Sequence, residues 1–225
     1  MYSTLCALFG AFLGLSVSGS LLAKEETPSD SAGTSCSPSS SEMLPTRPPF
    51  SPKKMLERVQ AYLNSFSTFY ARFRQEDPDG TIRFGHIYLS RPGKMRLDYS
   101  SPTHLLVVSD GAWISYDDKD LDQVSYVPLS ATPASFILTD KVDFKTVLVE
   151  KVEFSPEHDI LITLLNKSDP EIGTLILSLK DDPLRLTGWQ IIDQTTQTTL
   201  VALMDLETGI IPPPDSFELS NPPRS

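Results

Sequence analysis

Residues 87–116, IYLSRPGKMRLDYSSPTHLLVVSDGAWISY, constrain the fold more than any other stretch of the chain. Turn signals at Arg91-Pro92-Gly93, Ser100-Ser101-Pro102 and Asp110-Gly111 cut it into four short strands. An antiparallel meander of this kind ordinarily hides one face and wets the other. Here Leu105, Leu106, Val107 and Val108 run consecutively, so that strand is expected to be covered on both faces. A sheet that is apolar on both sides needs a lid, a second sheet or an apolar ligand. The function turns on which.

The flanking residues extend the pattern. Ser51-Pro52 offers a capping hydroxyl followed by Pro at the first helical position. Met55, Val59, Tyr62, Leu63 and Phe66 then fall on one stripe, which predicts an amphipathic helix over about 52–65. Phe69, Ala71 and Phe73 alternate with Tyr70, Arg72 and Arg74, a half-buried strand. Asp77-Pro78-Asp79-Gly80 makes the turn, and Ile82, Phe84, His86 and Tyr88 continue in period two on the return. A further hairpin is expected from 113–116 and 124–127 around Asp117-Asp118-Lys119-Asp120. Thr132-Pro133 opens a short apolar helix carrying Phe136, Ile137 and Leu138. Strands resume near 147–154, 160–166, 173–180, 186–193 and 198–206. Some 10–11 short strands and two small helices predict a mainly β (α+β) domain. An antiparallel barrel or strongly curved sheet is the expected form, able to enclose an apolar cavity.

The ends differ in character from this domain. Residues 1–23 carry no charged side chain and are mostly apolar or small, which reads as a secretory signal peptide, although no Lys or Arg precedes the apolar run. The competing reading, a transmembrane anchor, has the length but is opposed by the many Ser and Gly and the small-residue end. Residues 24–50 are rich in Ser and Pro and read as a flexible linker. The domain is expected over 51–220, with a short tail at 221–225. Cys6 falls in the leader and Cys36 in the linker, so no disulfide is expected. Neither follows the Leu-x-small pattern of a lipid-modified cysteine.

A net charge of −10 argues against nucleic acid, whose phosphates demand a basic surface. Residues 52–96 nonetheless hold nine Lys or Arg against four acids. Solvated surface is one account; two faces of opposite sign docking different partners is the other. The three His (His86, His104, His158) show no metal-ligand spacing. Asp118, Asp120 and Asp122 follow the start of a calcium loop, but Gln123 and Leu129 stand where Gly and Glu are needed. No nucleophile elbow or phosphate-cradling Gly loop is present. No cofactor, no metal and no enzymatic activity are expected. Arg91 stands between a strand and a Pro-Gly break. It reads either as a surface Arg lying along the sheet or as a fork of donors at a cavity mouth, bonding the carbonyls of a lid helix.

Tyr88-Leu89-Ser90-Arg91-Pro92-Gly93-Lys94-Met95-Arg96 resembles the Arg-Pro strand junction of the periplasmic lipoprotein carriers (LolA-like proteins). Leu106-Val107-Val108-Ser109-Asp110-Gly111 with Trp113 and Tyr116 is similar to their next segment. Residues 69–75 look like their Phe-x-Phe-x-Gln-type strand after the opening helix, and Phe217-Glu218-Leu219 like their C-terminal strand. The resemblance implies an incomplete antiparallel barrel closed by a short helical lid. It implies a periplasmic, monomeric carrier of acylated lipoprotein cargo, loaded by an inner-membrane lipoprotein-releasing transporter and unloaded to an outer-membrane acceptor lipoprotein. By match of motif Arg91 takes the lid-latch role. Phe69, Phe73, Phe84, Met95, Leu97, Leu106 and Val108 are the expected acyl-chain cavity, and Phe136, Ile137 and Leu138 the expected lid. A lipid- or lipoprotein-sensing module of the same fold and a structural envelope protein are the alternatives.

Overall fold

The computed structural model describes residues 51–167 and 169–219; the expected leader (1–23), linker (24–50) and tail (221–225) lie outside them. The domain opens with helix α1 (Pro52–Leu63), whose Val59 and Leu63 are buried and whose Met55, Leu56 and Tyr62 pack against the core. It stops two residues short of the expected end. The Ser65 amide and hydroxyl both turn back to the Tyr62 carbonyl, at 3.0 and 2.7 Å.

Eleven antiparallel strands follow in two meanders. The first runs β1 (Thr68–Glu76), β2 (Ile82–Ser90), β3 (Lys94–Tyr99), β4 (Leu105–Asp110), β5 (Trp113–Asp118) and β6 (Gln123–Pro128). The second runs β7 (Leu148–Phe154), β8 (Ile160–Leu165), β9 (Thr174–Lys180), β10 (Arg185–Ile192) and β11 (Thr198–Thr208). Pairing of β1 with β11 joins them into one sheet of order β6-β5-β4-β3-β2-β1-β11-β10-β9-β8-β7. The end strands β6 and β7 do not pair, so the sheet is open. The chain between them carries a 3-10 turn (Leu129–Ala131) and helix α2 (Ser135–Leu138). The strand spacing predicts an antiparallel barrel or strongly curved sheet, and the incomplete form is the one that the resemblance implies.

Register decides which side chains share the inner face. Phe69, Ala71 and Phe73 of β1 lie opposite Leu89, Ile87 and Gly85 of β2, which lie opposite Met95, Leu97 and Tyr99 of β3. Gly85 is needed there. A Cβ on it would stand 2.7 Å from the Phe73 ring and 2.3 Å from the Asp98 carbonyl oxygen. Phe73 fills that notch, with Tyr99 edge-on at 5.1 Å between ring centroids. The β1–β2 turn closes through Asp77, whose amide bonds the Thr81 carbonyl at 2.9 Å, with Gly80 at φ +82°.

Two expectations fail. The inner face of β2 carries Gly85, Ile87 and Leu89, so the alternating set Ile82, Phe84, His86 and Tyr88 points outward. The expected strand at Phe217–Leu219 is absent. Pro212, Pro213 and Pro214 supply no N–H for a ladder, and the chain turns instead, the Ser216 amide bonding the Pro213 carbonyl at 3.3 Å.

Candidate functional site

Helix α2 has only four residues, too few to hold itself in water. Its place is set by burial of Ala134, Ile137 and Leu138 in the common core, with Phe136 packed at the margin. Upstream, the Thr132 amide and hydroxyl both bond the Leu129 carbonyl, at 3.1 and 2.9 Å, and the Ser135 hydroxyl bonds the Thr132 carbonyl at 2.8 Å. The last carbonyls of any helix lack partners within it. Here the Gly93 amide bonds the Leu138 carbonyl at 2.7 Å, and Arg91 Nε bonds the Ile137 carbonyl at 2.8 Å.

The same guanidinium reaches α1. Its Nη1 donates to the Leu63 carbonyl at 2.5 Å and lies 3.4 Å from the Phe66 carbonyl, while Cζ stands 5.5 Å from the centroid of the Phe66 ring. One planar fork thus joins the carbonyl ends of both helices, geometry that a lysine point charge cannot reproduce. Burial pulls the Arg91 pKa below its ordinary value, yet a guanidinium stays charged in proteins. Of the two readings of Arg91, the surface one is excluded, since the residue is only 9% exposed.

A second connection, which the sequence reading missed, joins the end of α1 to the segment after α2. Asn64 donates from Nδ2 to the Val142 carbonyl at 2.8 Å and accepts the Val142 amide on Oδ1 at 2.9 Å. Gln60 Oε1 accepts the Phe144 amide at 3.0 Å. Gln60 lies on α1 and Asn64 one residue past its end, four apart in sequence beside the apolar stripe; that spacing was the one available signal. The segment 139–147, between α2 and β7, is therefore strapped to α1. The helix is itself anchored to the second meander. The Leu186 amide bonds the Tyr62 hydroxyl at 3.1 Å, and Arg58 pairs with Asp181 at 2.5 Å.

Of the expected cavity residues, Phe69, Phe73, Met95 and Leu97 are buried on the inner face of the sheet, in one core with Ile137 and Leu138. Phe84, Leu106 and Val108 do not. Phe84 is 51% exposed on the outer face. On β4 Val107 lies opposite Leu97 of β3, while Leu106 and Val108 lie opposite Asp98 and Arg96 and so take the outer parity. Val108 is nevertheless buried there. Within the run Leu105–Val108 the expected cover on both faces holds for Val107 and Val108, whereas Leu105 and Leu106 are half-buried, and only one face belongs to the interior. Ile87, Leu89, Ile114, Ile160, Ile162, Leu175 and Leu177 line that interior as well. A side chain with no accessible surface touches neither solvent nor a water-sized void. Phe73, Ile87, Leu89, Ile160 and Ile162 all have none, so this is a closed form, filled by its own side chains.

The far end of the interior is sealed by polar groups. The Tyr99 hydroxyl donates to Gln75 Oε1 at 2.7 Å, Gln75 Nε2 donates to Asp77 Oδ1 at 2.6 Å, and Arg83 pairs with Asp77 Oδ2. Burial first, then the Asp77 charge, pushes the Tyr99 phenol far above its ordinary pKa.

The basic excess of residues 52–96 is largely neutralised in place. Arg72 pairs with Asp205, Arg74 with Glu76 at 2.8 Å, Arg83 with Asp77, and Arg96 with Asp98 at 2.7 Å. The acidic hairpin 118–122 is a capped turn. Asp118 Oδ1 accepts the amides of Asp120 and Leu121 at 3.0 and 3.1 Å, and Asp120 Oδ1 bonds His104 Nδ1 at 2.7 Å.

Residues 64–220 match the family model described as outer membrane lipoprotein carrier protein LolA. The outer-membrane lipoprotein carrier protein of Chromohalobacter salexigens is 35% identical over 163 residues, covering 68% of this chain and 76% of that one. The protein of the same description from Methylococcus capsulatus is 31% identical over 175 residues, covering 73% and 83%. Among solved structures, a LolA superfamily protein from Nitrosomonas europaea superposes with a TM-score of 0.40 at 10% identity, over 71% of this chain and 94% of that one.

Proposed function

The chain belongs to the LolA family of outer-membrane lipoprotein carriers, and from that premise we propose that it ferries acylated lipoproteins across the periplasm. In this reading an inner-membrane lipoprotein-releasing transporter hands over the acyl chains, and an outer-membrane acceptor takes them. Residues 1–23 serve as the export signal, 24–50 as a Ser/Pro-rich linker, and the carrier works as a monomer. Among the described residues no helix is long and apolar enough to cross a membrane.

The observation that carries the reading is Arg91, which ties the carbonyl end of α2 to that of α1 over an apolar interior. Each buried methylene is worth about 0.8 kcal/mol, so an acyl chain of about fifteen methylenes gains ~12 kcal/mol on leaving water. Unopposed, that would hold cargo too tightly to deliver. A carrier whose empty interior repacks on itself sets part of that gain aside, because only the open fraction binds. Arg91 supports the closed form, and release to the acceptor follows as the lid returns to it.

Purified protein is added to spheroplasts holding a radiolabelled acylated lipoprotein, and the supernatant is assayed for a soluble complex of the two. Recovery of that complex is the expected result. Its absence, where a purified Chromohalobacter carrier releases the same cargo, rejects the carrier reading.

A further inference from the structure

A cavity of about 210 Å³ opens between α2, the strap 139–147 and the C-terminal end of β8. Phe136, Phe144, Val147 and Leu164 form its apolar wall, and half of the lining residues are polar, Asp143, Thr146 and Asn166 among them. We propose that this cavity is the lateral mouth of the carrier, receiving the leading methylenes of one saturated acyl chain while the ester or amide junction stays at the hydrated rim. The proposal rests on the carrier reading and adds to it where the chain goes in.

Three observations place the mouth here. The cavity lies at the seam where the sheet is open, beside the end strand β7 and its neighbour β8, so a chain can pass without breaking a strand ladder. Leu164 is shared: it lines the cavity and is also part of the common core, so a chain that displaces it enters the interior directly. The opposite wall has no strand ladder and is held by burial of Val142 and Phe144 and by side-chain hydrogen bonds. Val142 and Phe144 meet α1 through the hydrogen bonds of Asn64 and Gln60, whereas β8 is held on both sides by strand pairing. The strap can therefore swing while β8 stays.

Size separates a mouth from a store. Pockets that bury a drug-sized ligand run to about 300–1,000 Å³, and this one is smaller. It holds part of one chain, not a lipid. Blocking it should slow loading far more than it lowers the amount bound at equilibrium.

The test is stopped-flow uptake of 11-(dansylamino)undecanoic acid, a fluorescent fatty acid, by the wild type, Val147→Trp, and Phe84→Trp as a control that adds the same indole to the outer face. Val147→Trp is expected to slow association at least tenfold while the final amplitude stays within twofold, with Phe84→Trp unchanged. In the wild type, a fatty acid bearing a terminal diazirine, irradiated within milliseconds of mixing, is expected to label Phe136, Val147 or Leu164 first. An unchanged rate in Val147→Trp overturns the proposal, as does an amplitude loss at unchanged rate, which would make the cavity a storage site. Early labelling confined to other residues also overturns it, and that arm holds even if the Trp variant misfolds. Failure of the wild type to take up either probe counts against the carrier reading itself.

Discussion

Replacing Arg91 by Leu removes the donor from the Ile137 and Leu63 carbonyls and the weaker contact to Phe66 at 3.4 Å. A hydrogen bond to a charged group contributes about 1.5–3 kcal/mol, and a buried carbonyl left without a donor costs about 1–3 kcal/mol. Desolvation of the guanidinium offsets part of this, and leucine keeps part of the buried stem. The share that falls on the lid is the Ile137 contact, roughly 1.5–3 kcal/mol. At about 1.4 kcal/mol per tenfold, the open fraction of the lid rises roughly 10- to 100-fold. The amide of Gly93 reads this directly, because its bond to the Leu138 carbonyl breaks when α2 lifts. Amide hydrogen exchange of the variant should show Gly93 protection falling by that factor, while the β1–β2 ladder keeps its own. In the cargo assay, the variant should retain lipoprotein longer before passing it to an acceptor. Equal loss of protection at Gly93 and in the ladder would make Arg91 a general staple, and no change at Gly93 would remove the latch altogether. Either result refutes the reasoning.

Three further outcomes follow from the same geometry. Asn64→Ala, which frees both backbone groups of Val142, should cost about 1–2 kcal/mol in denaturant unfolding and raise exchange at Val142 without affecting Gly93. Tyr99→Phe leaves Gln75 Oε1 without its donor and should cost about 1–3 kcal/mol near neutral pH. Because the folded Tyr99 pKa is raised, its contribution is complete below the unfolded value near 10 and is lost as pH climbs toward the folded one. Stability measured from pH 9 upward should therefore fall less steeply in Tyr99→Phe than in the wild type; Tyr70, also raised by burial, keeps some slope in both. Phe84→Ser, on the outer face, should shift stability by no more than about 0.5 kcal/mol and leave fatty-acid uptake unchanged.

Most of the architecture was legible because its signals are local. Period-two alternation marked β1, turn residues cut the meanders, and Thr132-Pro133 announced the short helix before Phe136, Ile137 and Leu138. Arg91 could be singled out because a charged residue stood between a strand and a Pro-Gly break. The facing of β2 and β4 was not legible, since both parities of 84–89 and of 105–108 are apolar. Only the pairing of Gly85 with Phe73 turns Phe84 outward, and only the β3–β4 register turns Leu106 and Val108 away from the interior. The partners of Asn64 and Gln60 are likewise set by tertiary structure, because a side-chain amide bonding a backbone some 80 residues away leaves no periodic trace. The chain by itself thus determined the strands, the lid helix and the Arg beside it, all written in spacings of two to four residues. Which faces meet and how α2 and the segment after it are held were decided by register and packing, which act between segments far apart in sequence.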